Sequence, residues 1–528
     1  MGSLPVGLAA AVLAVLLPGG APPAAAANLL ELRLEALTIP IPLDQLEALS
    51  RGERLPAASG TEELRVWMSL LRTENQRDLL RLLRAPLLRD RSFGRQLLDS
   101  WAGSQMLGEL GGLLTTPDGQ STTPLLQSTL LRLLEEGREV TAIDLLRRLP
   151  PQRLTLQLDG LVALAERWRE QRRQQQLALE GLRRLDLEPR TTAPLAFDDG
   201  ETVPPRRLNL VVPHRPEGLP LELWPALPAT QDHAPRQPWL LLMPGLGGTA
   251  EQLHWLAGAL AERGWSAVVL QHPGSDAAAV KAALAGQSLP PGAETLPMRL
   301  ADVQAVLAAQ RQGRLGIDGD GVVLAGHSLG GLTALLAAGL DPVPGLENRC
   351  RQAMDRLPIN NPSRLLQCQI VSTGLPAAMP TPPDLRGVVV LNGFGSLLWS
   401  GRGLAPLAVP VLMAGGSLDL VTPPVEELLG VFLPPGDPRS RLVLVEGGSH
   451  FSPVRVGATE EALFRLGDQL VGQDPHTVQR LLLRLTSEFL QTLEQPLLMP
   501  PQRRVQEGVN AYVLDPPLAR RWRAMLGR

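Results

Sequence analysis

Val322-Val323-Leu324-Ala325-Gly326-His327-Ser328-Leu329-Gly330-Gly331-Leu332-Thr333-Ala334-Leu335-Leu336 is the stretch that decides the fold. Its first four residues are a short apolar run that reads as a buried strand, and Gly331 to Leu340 reads as a helix. Between them lies Gly326-His327-Ser328-Leu329-Gly330, a G-x-S-x-G match. In a chain with 51 glycines the bare pattern is weak. The strand–turn–helix setting is what gives it weight, because there the glycines let backbones approach and the tight turn projects the Ser328 hydroxyl. Without that chemistry the same stretch is a glycine-rich turn with an idle serine.

Working outward, Leu208–Val212, Trp239–Met243, Ala267–Gln271, Val388–Leu391, Val411–Ala414 and Leu442–Val445 are further short β runs, alternating with helical patterns. Continuous apolar runs of this kind belong to strands covered on both faces, which predicts an α/β fold built on a mostly parallel sheet. From Asp341 to Arg386 the alternation lapses into an insertion. The segment before the sheet reads as all helical: Thr73-Glu74-Asn75-Gln76 and Thr141 with Asp144 are helix starts, Thr123-Pro124 another, and Leu161–Leu185 a long charged helix. The organisation expected is therefore a leader over 1–27, a helical domain over 28–190, an α/β-hydrolase catalytic domain over 200–497 with a lid-like insertion at 341–386, and a C-terminal tail over 498–528.

The leader rests on the apolar run Leu4–Leu17, Pro18-Gly19-Gly20 and Ala24-Ala25-Ala26-Ala27. The run is too short to span a bilayer and fits a signal-peptide core before a small-residue cleavage site. The expected location is therefore periplasmic or extracellular, with no transmembrane anchor after cleavage. A net charge of -3 argues against nucleic acid as a partner. The two cysteines, Cys350 and Cys368, either pair in an oxidising compartment or pack as thiols, and no nearby ligand set accompanies them for a metal.

A serine hydroxyl needs a base, and the base an orienting carboxylate. In chain order nucleophile–acid–base, only His450 and His476 follow Ser328, and His450 lies in a loop directly after a strand. His476 sits beside Asp474-Pro475 at a helix start. Asp419 likewise follows the strand Val411–Ala414. Its competitor Asp437 sits in a Pro-Pro-Gly-Asp-Pro turn, and Asp384 precedes its strand. Oxyanion donors are expected from the N–H groups of Leu329, after the nucleophile, and Leu246, in Pro244-Gly245-Leu246-Gly247-Gly248.

With these pieces assembled, the chain from about Leu208 to His450 resembles bacterial esterases related to dienelactone hydrolase and platelet-activating-factor acetylhydrolase. The resemblance is carried by Pro244–Gly248, His272-Pro273-Gly274-Ser275, the elbow, Gly416-Ser417-Leu418-Asp419 and Ser449-His450-Phe451. The preceding region resembles a domain of unknown function found ahead of such hydrolases. The resemblance implies acyl transfer to water with no metal or organic cofactor, a small-molecule or lipid-like ester substrate, and a Cys350–Cys368 disulfide pinning the insertion. One position departs from it: relatives carry His where this chain has Pro244, which leaves open what holds the oxyanion loop. Two rival readings share these residues, an acyltransferase using the same triad and an inactive binding or scaffold protein on the fold. Leu365, Leu366, Leu375 and Met379 are the insertion's apolar candidates for shaping a pocket.

Overall fold

The structure, a computed structural model, describes residues 27–51, 68–69, 83, 86–88, 95, 98–136, 140–191, 204–227, 238–358, 360–374, 378–455, 473–495 and 497–527. The proposed signal segment up to Ala26, the Thr73 helix start and most of the Thr191–Pro205 boundary lie outside these residues. Among the described residues no helix is long and apolar enough to cross a membrane. The chain divides into two units, one taking residues to Asp99 and Gly103–Ala163, the other Ser100–Ala102 and Leu164–Arg528.

The first unit is not all helical. Strands β1 (Leu29–Leu34), β2 (Leu37–Pro42), β4 (Leu114–Thr115) and β6 (Arg153–Gln157) form a mixed sheet in the order β2-β1-β6-β4, and β3 (Pro86–Leu88) pairs with β5 (Val140–Thr141). The physical reason is local. Leu-Glu-Leu-Arg-Leu alternates with period two, Ile39 and Ile41 point inward while Thr38 and Pro40 do not, and Pro40 and Pro42 bar a helix. Its described helices include Thr123–Glu135 and Ala142–Arg148. The latter starts on the expected capping box, Thr141 Oγ1 accepting from the Asp144 N–H.

The second unit is an α/β fold around one sheet. Its strands are β7 (Pro189–Thr191), β8 (Arg206–Val212), β9 (Arg215–Trp224), β10 (Trp239–Met243), β11 (Ala267–Leu270), β12 (Val322–His327), β13 (Leu385–Leu391), β14 (Val411–Gly416), β15 (Arg441–Val445), β16 (Gln502–Gln506) and β17 (Val509–Leu514). Their order is β7-β16-β17-β15-β14-β13-β12-β10-β11-β9-β8. The six central strands, β11 to β15 with β10, run parallel; β9 and β8 on one flank and β17 and β16 on the other add antiparallel pairs, and edge strand β7 pairs parallel with β16. Trp239, Leu241 and Met243 of β10 enter one apolar cluster and Leu240 and Leu242 the other, so alternate side chains feed cores on opposite faces. The sheet begins earlier and ends later than the sequence indicated: β7 lies before residue 200, and the expected tail supplies β16, β17 and the helix Pro516–Met525. Glu507-Gly508, both at positive φ, make the turn of that last hairpin.

The chain lays down β10, steps to β11 on one side, then returns to place β12 on the other. Strand order reverses between β10 and β12, and in such sheets the crevice beyond the carboxyl ends at that point is where ligands bind.

Candidate active site

Both loops at the reversal point come together. Ser328 adopts φ 53° and ψ −119° between β12 and the helix Leu329–Ala337, a region that a residue with a Cβ visits only under constraint. The constraint is visible: the Ser328 N–H donates to Leu391 O (2.9 Å) at the end of β13, and Ser328 O accepts from the Leu332 N–H (3.1 Å). The flanking glycines are required by space. A Cβ on Gly330 would lie 2.1 Å from Met243 O, and one on Gly326 2.2 Å from the Gly330 carbonyl carbon. Leu329 opens the helix, where the first N–H groups have no intrahelical acceptor.

The loop after β10 lies against this turn, since a Cβ on Gly245 would meet both the Ser328 Cβ and His327 Nδ1 at 3.2 Å. Its Gly247 N–H donates to Ser275 O (2.8 Å) and its Gly248 N–H to Gly245 O (3.3 Å). That narrows the donor this loop offers to Gly245 or Leu246. The question raised by Pro244 has an answer in Arg299, whose Nη2 donates to Pro244 O (2.6 Å).

Asp419 and His450 follow β14 and β15, on loops that are themselves joined: the Leu418 N–H donates to Gly448 O (2.9 Å) and the Gly447 N–H to Ser417 Oγ (2.9 Å). His450 Nδ1 donates to Asp419 Oδ2 (2.9 Å), and Asp419 is fully buried. Burial alone would raise the Asp419 pKa, but His450 and Thr422 outweigh it and hold the carboxyl below its usual range. Asp437 is instead taken up by Arg439 in its turn (2.7 Å).

Three residues around this pair have contacts the sequence did not disclose. Asn392, at φ 48° just past β13, donates through Nδ2 to Asp419 Oδ2 (2.6 Å) and Ser449 O (3.1 Å). Thr422 donates its hydroxyl to Asp419 Oδ2 (2.6 Å) and its N–H to Asp419 Oδ1 (2.7 Å), and the Val421 N–H reaches Oδ1 as well (2.9 Å). His327, expected only as an elbow residue, donates from Nε2 to the backbone carbonyl of His450 (2.8 Å). Burial, with the His450 imidazole close by, pushes its pKa down to about 3, so it stays neutral. The signal for Asn392 was present in part: Asn-Gly at a strand's carboxyl end is turn chemistry, and Asn tolerates positive φ.

The insertion carries helices Leu346–Ala353 and Ser363–Thr373, joined by the Cys350–Cys368 disulfide. It is tied down beside the acid loop, the Ser363 N–H donating to Val421 O (3.1 Å). Buried Glu427 accepts from Asn361 Nδ2 (2.7 Å), Gln367 Nε2 (3.2 Å) and the Gly395 and Ser396 N–H groups (3.0 Å each). Leu366 and Met379 pack on the main core, and Leu375 lies outside the described residues. The helix Leu158–Arg183 adds one more contact to the site, Gln175 Nε2 donating to Asp419 O (3.2 Å).

A cavity of about 610 Å³ opens between β8, β9 and the segments that follow β10 and β11, lined among others by Glu222, Thr249, Gln271 and Asp276. It is not lined by Ser328 or His450, and the geometry of the side chains rather than cavity size marks the site. Among the described residues no cluster of His, Cys, Asp or Glu is placed to hold a metal ion.

Comparison with known proteins gives a family match. Residues 26–157 match the model of DUF1400, described as an alpha/beta hydrolase of unknown function. The match supports an alpha/beta hydrolase. It falls on the first unit and so touches none of the site residues, which rest on the geometry above. No curated protein matches the sequence.

Proposed function

We propose that the chain is an exported serine hydrolase, specifically a carboxylic ester hydrolase, with Ser328 as nucleophile, His450 as base and Asp419 as the carboxylate that orients it. The observation that carries the reading is Ser328 at positive φ on a strand–helix turn between the two loops of the reversal point, with the Asp419–His450 hydrogen bond on neighbouring strand ends. In this reading His450 accepts the Ser328 proton as the hydroxyl adds to the ester carbonyl. Asp419, ionised and buried, stabilises the imidazolium. The N–H groups of Leu329 and Leu246 receive the oxyanion. His450 then protonates the departing alcohol, and water, activated by the same imidazole, cleaves the acyl-enzyme. A kinship with dienelactone hydrolase and platelet-activating-factor acetylhydrolase is the narrower form of the same reading. Export is supported by the disulfide, which persists in oxidising compartments.

The test is labelling of the purified protein with a fluorophosphonate, followed by mass mapping of the modified peptide. A label on Ser328 that disappears in His450→Ala, with ester turnover lost in Ser328→Ala, is the expected result. Labelling elsewhere, or full turnover in a folded Ser328→Ala variant, overturns the assignment.

A further inference from the structure

Arg299 is the largest charged side chain with almost no exposure, 1%. It sits on the helix Leu296–Arg311, and its three nitrogens reach three different parts of the site's surroundings. Nη2 donates to Pro244 O of the loop after β10 (2.6 Å), Nη1 to Ser275 Oγ (2.8 Å), and Nε to Thr333 Oγ1 (3.1 Å) on the helix that follows Ser328. Ser275 belongs to the turn whose carbonyl accepts the Gly247 N–H, so the guanidinium reaches both ends of the loop, one directly and one through this turn.

The field of Asp302, on the same helix, favours this charge. Asp302, fully buried, accepts both Arg215 nitrogens (2.9 and 2.8 Å), His214 Nε2 (2.9 Å) and His272 Nδ1 (3.0 Å). Burial lowers the Arg299 pKa to about 9 against the pull of Asp302, so the guanidinium is charged at neutral pH. Burying a guanidinium is strongly unfavourable unless its donors are used in good geometry. A planar fork serves three fixed acceptors in a way a lysine ammonium does not. Pro244 has no N–H, so its carbonyl is the only backbone handle at that position, and the loop beyond it is glycine-rich.

We infer that Arg299 is a positioning residue for the oxyanion hole: it fixes the Pro244–Gly248 loop relative to the helix bearing the Leu329 N–H, and so sets the spacing of the two donors. The inference rests on the serine-hydrolase reading. A donor misplaced by about 1 Å costs up to about 100-fold in rate. Since oxyanion donors act on the transition state, the loss belongs in kcat rather than KM.

The experiment compares wild type, Arg299→Lys and the double variant Ser275→Ala/Thr333→Val on p-nitrophenyl acetate, each normalised by fluorophosphonate titration of active sites. A trifluoromethyl ketone, whose adduct with a serine carries an oxyanion, is measured alongside. For Arg299→Lys the expected result is a kcat about 10- to 100-fold lower per titrated site, KM little changed, and ketone Ki raised in proportion. The double variant, which leaves the guanidinium but loosens two of its anchors, moves the same way by about 3- to 10-fold and serves if Arg299→Lys does not fold. Unchanged kcat and Ki per titrated site, or a loss confined to KM, overturns the inference while the wild-type label on Ser328 still stands. A wild type that neither labels nor turns over overturns the hydrolase reading, and this inference with it.

Discussion

Replacing Asn392 with Asp changes one donor into one acceptor in the most charge-sensitive spot of the site. Volume is kept, and Asp tolerates the positive φ of position 392 about as well as Asn, so backbone strain is not introduced. The Asn392 Nδ2 now donates to Asp419 Oδ2 at 2.6 Å and to Ser449 O at 3.1 Å. In the variant two carboxylates face each other in a buried setting, and both cannot ionise. The folded state therefore takes up one proton. For an unfolded Asp with pKa about 3.9, holding that proton at pH 7 costs about 4 kcal/mol.

The sign follows from the direction of the shift. The new carboxyl has a folded pKa raised above its unfolded value. Its contribution is favourable below about pH 3.9 and is lost as pH rises toward the folded value, by about 1.4 kcal/mol per unit. The wild-type Asp419 behaves oppositely: its folded pKa is depressed, so its stabilisation is present above the unfolded value and fades as pH falls through the folded one. Urea denaturation of both proteins at pH 7, 6 and 5 reads this directly. The gap between them is expected to be largest at pH 7, up to about 4 kcal/mol, and to shrink toward about 1.5 kcal/mol at pH 5. Equal midpoints at pH 7, or a gap that does not change with pH, would refute the placement of Asn392 against an ionised Asp419.

Three other perturbations have defined outcomes. Thr422→Val keeps shape but removes the hydroxyl donated to Asp419 Oδ2, and should lower stability by about 1.5–3 kcal/mol and reduce kcat, measured by urea midpoint and ester turnover. Gly330→Ala places a methyl 2.1 Å from Met243 O, backbone against backbone, and should destabilise by about 3 kcal/mol or more, seen as a lowered urea midpoint. Cys350→Ala with Cys368→Ala opens a crosslink across 18 positions and should cost about 3 kcal/mol, checked by comparing urea midpoints with those of the oxidised wild type.

The central strands were legible because β10 to β15 are buried on both faces and so appear as unbroken apolar runs. On the flanks β8 was read as Leu208–Val212, but β9 and β16 escaped for the converse reason. Strand β9 carries Pro216, Gly218 and Pro220, and β16 is Gln502-Arg503-Arg504-Val505-Gln506 with one apolar residue, so neither presents a run. In the first unit β1 is rich in leucine and was absorbed into a helical reading, although its alternation is that of a strand. Ser328, Asp419 and His450 could be named because each follows a strand in a fixed chain order. Asn392 and Arg299 act on partners 27 and 55 positions away, through contacts that only the folded sheet creates. Local pattern contains no trace of such a contact.

The helix Leu158–Arg183 has a bearing on how this protein can be cut for expression. Its later turns belong to the second unit, with Trp522 Nε1 donating to Ala178 O (2.9 Å), an Arg183–Glu446 ion pair and the Gln175 contact to Asp419. A recombinant fragment begun near residue 200, where composition changes, discards those contacts and the strand β7. It thereby leaves the hydrogen-bonding edge of β16 bare, an invitation to pair with another chain. A fragment begun at Leu158 retains the helix and the covered edge, so the practical start for the second unit lies roughly forty residues upstream of where composition alone would put it.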